Sequence, residues 1–213
     1  MLVLHDYFRS SAGYRVRIAL NLKGVDYVRH ELPLLENAQR SPEHLAHNPQ
    51  GLVPALEAEG HVFTQSLAIL DWLDARYPEP RLIPADAVAR ADALARAMVI
   101  GIDVHPINNL RVMRYLEQRL KADADARSAW TAHWMTEGLT ALEAMVRAAG
   151  GAGPFLGGAA PDVADCFLVP QLFNARRFAV PLDAYPLLLQ AEAAALAHPA
   201  FAAAHPDKVA PNA

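Results

Sequence analysis

Two hydroxyls stand side by side in Arg9-Ser10-Ser11-Ala12-Gly13-Tyr14-Arg15, between an apolar run at 2–5 and a helical pattern at 14–23. Hydroxyls at a helix start accept hydrogen bonds from the first backbone N–H groups, and capping alone accounts for them. The same place suits catalysis, because the positive end of a helix favours an anion and a hydroxyl can donate to sulfur. The single cysteine, Cys166, lies far along the chain in an apolar helical run and reads as core, so a thiolate here has to come from a ligand. One cysteine also excludes an intramolecular disulfide and a Cys-x-x-Cys redox pair.

Asn48-Pro49-Gln50-Gly51-Leu52-Val53-Pro54 puts a proline at the start of an apparent strand. Proline has no N–H to give a strand ladder. A trans proline on an edge strand meets that constraint. So does a cis Val53-Pro54 bond, which turns Val53 outward and leaves its main-chain N–H and C=O for an extended peptide ligand. Gln65-Ser66 opens another helix, a second N-terminus able to hold a carboxylate. His44 and His47 are a weak pair, and no spacing among the nine histidines forms a metal set. His105 and Asn109 are four apart and are expected on one helix face, with a fresh helix start at Pro106. Arg176-Arg177 by itself reads as a solvated face.

Residues 1–80 must position the first of these groups, and they alternate between two grammars. Strands are expected at 2–5, 27–32, 53–57 and 61–64, and helices at 14–23, at 42–47 and from Ser66 onward. Glu59-Gly60 supplies a hairpin turn. Ser66 reads as the cap of a helix with Ile69, Leu70, Leu73 and Tyr77 on one face. The order β-α-β-α-β-β-α places helices around a mixed sheet. Pro78, Pro80 and Pro84 mark a linker. Beyond it, long helices are expected at 87–119, bent near Gly101 and Pro106, and at 127–149. Asp162 and Asp165 have capping-box spacing. The tail after Pro199 reads as loosely packed. The expected domains are 1–80, with the sheet, and 87–213, all helical.

The chain of 213 residues is long enough for one large domain or two modest ones with real cores. A net charge of −4 carries no basic excess, so neither nucleic acid nor an anionic membrane surface is an expected partner. Met1-Leu2-Val3-Leu4 soon meets His5, Asp6 and Arg9 and is too short for a signal-peptide core. No stretch approaches the roughly 18 apolar residues of a spanning helix. The expectation is a cytoplasmic enzyme.

Several segments, spread in order along nearly the whole chain, belong together. They are Arg9-Ser10-Ser11, Arg15-Val16-Arg17-Ile18-Ala19-Leu20 with Leu22-Lys23-Gly24, Asn48-Pro49 with Val53-Pro54, and Gln65-Ser66-Leu67-Ala68-Ile69. Ala164-Asp165 with Leu168-Val169-Pro170-Gln171, Asn174-Ala175 with Arg177-Phe178, and Leu182 with Tyr185-Pro186 complete the set. Together they resemble the zeta class of glutathione transferases, a family that includes maleylacetoacetate isomerases and bacterial maleylpyruvate isomerases. His105-Pro106-Ile107-Asn108-Asn109 is similar to the bacterial members of both groups.

The resemblance implies an α/β thioredoxin-like N-terminal domain and an all-α C-terminal domain. It implies glutathione as cofactor, a small maleyl acid as substrate, and a homodimer in which the first domain of one subunit meets the helical domain of the other. The implied reaction is glutathione-dependent cis–trans isomerisation of maleylacetoacetate to fumarylacetoacetate in aromatic catabolism. Maleylpyruvate isomerisation, and conjugation or dehalogenation on the same scaffold, are the alternatives; a non-catalytic transferase-like interaction protein is a further one. By the same resemblance Ser10 contacts the glutathione sulfur and Ser11 lines the thiol pocket. Val53 pairs its main chain with the cysteinyl unit, and Gln65 and Ser66 hold the γ-glutamyl group. Gln39, His105 and Asn109 fall near the glycyl end. Arg9, Arg111 and Arg177 meet the substrate anions. Where the family reads Ser-Ser-Cys this chain has Ala12, which removes a protein thiol and leaves the glutathione thiol that isomerisation uses.

Overall fold

The computed structural model describes residues 1–151 and 153–211. They divide into two compact units, Met1–Leu82 with Leu196–Ala213, and Ile83–Ala195.

In the first unit, β1 (Leu2–Asp6) leads into α1 (Ser11–Leu22), which returns the chain to β2 (Tyr27–Glu31), parallel to β1. After α2 (Pro42–His47), β3 (Ala55–Ala58) and β4 (His61–Thr64) add antiparallel, giving the order β2-β1-β3-β4, and α3 (Ser66–Arg76) follows. This is the mixed, thioredoxin-like sheet expected. Glu59 and Gly60 make the hairpin with φ of 53° and 78°, the positive pair that matches the twist of the flanking strands. Strand β3 starts two residues later than expected, because Val53 and Pro54 lie outside the ladder.

Alternation along β1 sends Leu4 and Asp6 to one face of the sheet and His5 to the other. Leu4 pairs in register with Leu56, and both are fully buried, as are Val16 and Leu20 of α1 and Ile69, Leu70 and Leu73 of α3. Asp6 on this face makes a completely buried ion pair with Arg17 of α1. Gly13 leaves room for that pair, since a Cβ there would fall onto the Asp6 carboxylate.

Arg17 also donates to Phe8 O at 3.0 Å and to Ala204 O at 3.1 Å. The second bond corrects the expectation of a loose tail. Residues after Pro199 form α9 (Pro199–Ala204) and α10 (Pro206–Val209); Asn21 donates to Ala200 O at 3.0 Å, and Phe201 is fully buried. The tail therefore packs on the first unit, whereas the sequence grouped it with the helices at 87–213. Its anchors lie 179 and 187 residues away, beyond the reach of any local pattern.

Lys23, at the end of α1, donates to Asp74 Oδ1, Tyr77 O and Pro80 O, each at 2.6 Å. The proline-rich linker is thereby held to α1.

The second unit contains α4 (Ala87–Met98), α5 (Leu110–Gln118), α6 (Ala124–Ala148), α7 (Val163–Arg177) and most of α8 (Pro186–Ala197). The helix expected over 87–119 is not a bent rod but a broken one. α4 passes into π-helical turns at Val99–Val104, where His105 N–H bonds Ile100 O at 2.9 Å, then into a 3-10 turn at Pro106–Asn108. Proline removes the donor that would carry the helix on, and Asn109 starts α5 afresh. Asp162 and Asp165 form the expected capping box at the start of α7. Cys166 is fully buried, as are Leu168 and Leu172 of the same helix, in keeping with its reading as core. Among the described residues, no helix is long and apolar enough to cross a membrane.

Candidate active site

α1 begins at Ser11, and Ser10 is its N-cap, with Oγ accepting from Gly13 N–H at 3.1 Å. The capping reading of Ser10 and the catalytic one are compatible. A hydroxyl has two lone pairs and one proton, and the cap uses only a lone pair. Helix geometry leaves the N–H groups of Ser11 and Ala12 without intrahelical acceptors. An anion placed here meets those donors and the Ser10 O–H. Ser11 and Ala12 are both buried, so the position of the missing family cysteine is filled by a small apolar side chain. Arg9, next door, is exposed, with its guanidinium 4.9 Å above the Phe8 ring.

The start of α3 differs from the sequence reading. Gln65, at φ 66°, is the N-cap residue and makes no side-chain cap, while Ser66 is the first helical residue rather than the cap. Ser66 Oγ instead accepts from Arg15 of α1 at 3.2 Å. Arg15 is buried, which pushes its guanidinium down to about 9, still cationic at neutral pH. An uncapped helix end above a buried cation favours a carboxylate through both backbone donors and charge. Sequence reasoning gave Arg15 no role. Its signal was a charge flanked by Tyr14 and Val16 in a helix with little polar surface.

Val53-Pro54 is cis, the second of the two readings of that segment. The preceding carbonyl, Leu52 O, accepts from Asn48 Nδ2 at 2.9 Å and lies 2.8 Å from His44 Nε2. Gln65 is exposed and donates to Gln50 Oε1 at 2.7 Å. Gln39 is 7% exposed, and its Oε1 has no partner among the described residues. Glutathione fits this donor set: two helix N-termini suit its thiolate and its γ-glutamyl carboxylate, and the buried Gln39 oxygen calls for an N–H donor.

In the second unit, Asn109 caps α5, its Oδ1 accepting from Arg111 N–H at 3.1 Å and Val112 N–H at 3.2 Å. Asn109 is extended, at φ −77° and ψ 165°, so it and His105 do not share one helix face as expected. Its amide nitrogen remains a donor. Arg111, in the first turn of α5, and Arg177, at the end of α7, are both exposed. Arg176 rather than Arg177 is the arginine gripped by both oxygens of Glu192. A cavity of about 220 Å³ in this unit is lined by Arg96, Val146 and Leu156 and contains none of these residues.

The chain matches known proteins in both its N-terminal and its C-terminal parts. Residues 4–81 match the family description "Glutathione S-transferase, N-terminal domain" and residues 128–203 match "Glutathione S-transferase, C-terminal domain". The chain is 43% identical over 206 residues to the maleylacetoacetate isomerase of Pseudomonas aeruginosa, covering 95% of each. It is similar to the holo structure of maleyl pyruvate isomerase, a bacterial zeta-class glutathione S-transferase, with a TM-score of 0.96 and 42% identity over 99% of this chain and 100% of that one. It is also similar to the maleylacetoacetate isomerase of Anaeromyxobacter dehalogenans solved with glutathione in its active site, with a TM-score of 0.87 and 43% identity over 98% and 96% of the two chains.

Proposed function

The chain belongs to the zeta class of the glutathione S-transferase family, and from that premise we propose that it is a glutathione-dependent cis–trans isomerase converting maleylacetoacetate to fumarylacetoacetate. The observation that supports the reading best is Ser10, which caps α1 through a lone pair and keeps its proton for a sulfur at the same helix end. Maleylpyruvate is the second substrate to weigh, because one relative of high structural similarity carries that name.

Glutathione, when bound, supplies the thiol whose ionised sulfur adds to the maleyl double bond and leaves once the bond has rotated. Holding that sulfur ionised is the task of the α1 end. An ordinary thiol with a pKa of about 8.5 is only about 3% ionised at pH 7, and lowering it by about two units takes about 2.7 kcal/mol of differential stabilisation. The Ser10 O–H and the N–H groups of Ser11 and Ala12 supply a helix end plus a charge-assisted hydrogen bond, which are of that order. Ser66, the neighbouring N–H groups of α3 and the charge of Arg15 hold the γ-glutamyl carboxylate. Val53 offers main-chain pairing, with Gln39, Gln65, His105 and Asn109 as further contacts to the tripeptide. Arg9, Arg111 and Arg177 grip the substrate carboxylates and stabilise charge developing on its carbonyl.

The working form we propose is a cytoplasmic homodimer. Light scattering at micromolar concentration is expected to give twice the 23.2 kDa chain mass, and a monomer overturns that assignment. Assay of the purified chain with maleylacetoacetate and maleylpyruvate, each with and without glutathione, tests the function. Strict dependence on glutathione with the thiol regenerated is the expected result; consumption of glutathione with product points instead to conjugation.

A further inference from the structure

The sheet face turned away from α1 gathers imidazoles that are scattered in sequence. His5 on β1 stands in register with His30 on β2, and Glu57 of β3 projects from the same face, opposite Val3. α2 lays His44 and His47, three residues apart and so on one side of a helix, against this face. The His5 ring centre lies 5.0 Å from that of His30, 6.1 Å from His44 and 4.7 Å from His47. At the centre, Glu57 Oε1 contacts His5 Nε2 and lies 3.0 Å from His47 Nε2. One ligand atom from each of His5, His47 and Glu57 falls within 4.8 Å of the others.

The surroundings of His47 point to a cation. Its Nδ1 is 3.0 Å from the Glu43 carbonyl, and its Nε2 faces the Glu57 carboxylate, so both ring nitrogens meet oxygen acceptors. A neutral imidazole has one N–H and can satisfy only one of them. With the proton on Nδ1 and bonded to Glu43 O, Nε2 presents its lone pair to a carboxylate oxygen. A cation shared by Nε2 and the carboxylate, either a second ring proton or a metal ion, satisfies both atoms. A backbone carbonyl holding the far nitrogen is also the arrangement that orients metal-bound histidines. Exposure rises across the cluster, with side chains 7% exposed at His5, 28% at His47 and 37% at Glu57. A fixed inner ligand with two accessible outer ones leaves an entry path and room for water as a further ligand.

We propose that His5, His47 and Glu57 form a site for a divalent transition metal of the zinc type, bound by two imidazole nitrogens and one carboxylate. Two nitrogen donors select borderline ions such as zinc, nickel and copper over magnesium and calcium, which prefer all-oxygen sets. His44 stays outside the ligand set, its Nε2 being 2.8 Å from Leu52 O. None of His5, His47 and Glu57 has a role in the isomerase reading, so the test does not depend on it.

The test is titration of the chelator-treated full chain with zinc by calorimetry, with millimolar magnesium present. One zinc per chain is expected to saturate. His47→Ala and Glu57→Gln, both partly exposed positions, are each expected to weaken zinc at least about tenfold, the effect that loss of even an outer partner has. His133→Ala, on exposed α6 surface, leaves affinity unchanged. Copper in place of zinc is expected to show electron-paramagnetic-resonance coupling to two imidazole nitrogens in the wild type and one in His47→Ala. Circular dichroism of the metal-free variants confirms that they fold. Absence of saturable zinc binding, unchanged affinity in either ligand variant, or a copper spectrum without nitrogen coupling overturns the proposal.

Discussion

Arg15 of α1 donates a 3.2 Å hydrogen bond to the hydroxyl of Ser66, the first residue of α3, and so ties together the starts of two helices. In the proposed function the Ser66 oxygen accepts from Arg15 while its own proton goes to the γ-glutamyl carboxylate. Ser66→Ala is expected to weaken glutathione about tenfold, equivalent to about 1.4 kcal/mol, while leaving the ionisation of bound thiol unchanged. Calorimetric titration and the ultraviolet thiolate band measure the two effects separately. A change in the thiolate band with unaltered affinity would show that the α3 end serves the sulfur instead.

Ser10 caps α1 and, in the proposed function, also serves the sulfur; substitution can split the two. Ser10→Ala removes the cap, costing about 1 kcal/mol of stability, and removes the donor to sulfur. Turnover is expected to fall far more than glutathione affinity, and the thiolate band to move to higher pH. Ser10→Asp restores a cap acceptor without a donor, so stability should recover and turnover should not. Normal turnover in either variant would remove Ser10 from the chemistry.

Arg177→Met keeps the length of the side chain and deletes its charge. A maleyl diacid brings two negative charges beside a thiolate, and arginine answers with a permanent charge and two parallel hydrogen bonds. The expected loss in kcat/KM for the maleyl acid is at least about tenfold, or about 1.4 kcal/mol in the transition state, with little change in glutathione binding. Steady-state kinetics beside a glutathione titration decide the matter; wild-type kcat/KM in the variant returns Arg177 to a plain surface role.

Asp165 anchors the start of α7 by accepting from the N–H groups of Leu156 at 2.8 Å, Asp162 at 2.9 Å and Gly157 at 3.2 Å. Asp165→Ala leaves these donors unpaired, and a loss of at least about 2 kcal/mol is expected in denaturant melts. Burial, and next the neighbouring Asp162 carboxylate, raise the Asp165 pKa from 3.8 to about 7. The folded state therefore binds its proton more tightly than the unfolded chain does. The stabilisation is complete below about pH 4 and is lost as pH rises through about 7. Asp165→Asn, which cannot ionise, should flatten this part of the stability profile; an unaltered slope would assign it to other groups.

Much of this protein is legible in its sequence because much of it is local. Residues 42–47 and 61–64 form the helix and strand their patterns predict, Glu59-Gly60 makes its hairpin, and Asp162 with Asp165 makes its capping box. Each depends on hydrogen bonds and side-chain directions set within a few residues. The segments proposed to bind glutathione, at Ser10, Val53-Pro54 and Gln65-Ser66, are legible for the same reason, since a helix end or a proline bond announces itself where it stands. What the sequence left open depends on which distant surfaces meet. The tail is ordered because Arg17 and Asn21 reach the carbonyls of Ala204 and Ala200, and Ser66 turns to Arg15 because α1 and α3 lie side by side. His5 and Glu57 are strangers in sequence and neighbours only through the β1–β3 register, with α2 bringing His47 to them. Local periodicity reports which face of an element is apolar, but only tertiary packing decides what that face, or the polar one behind it, will touch.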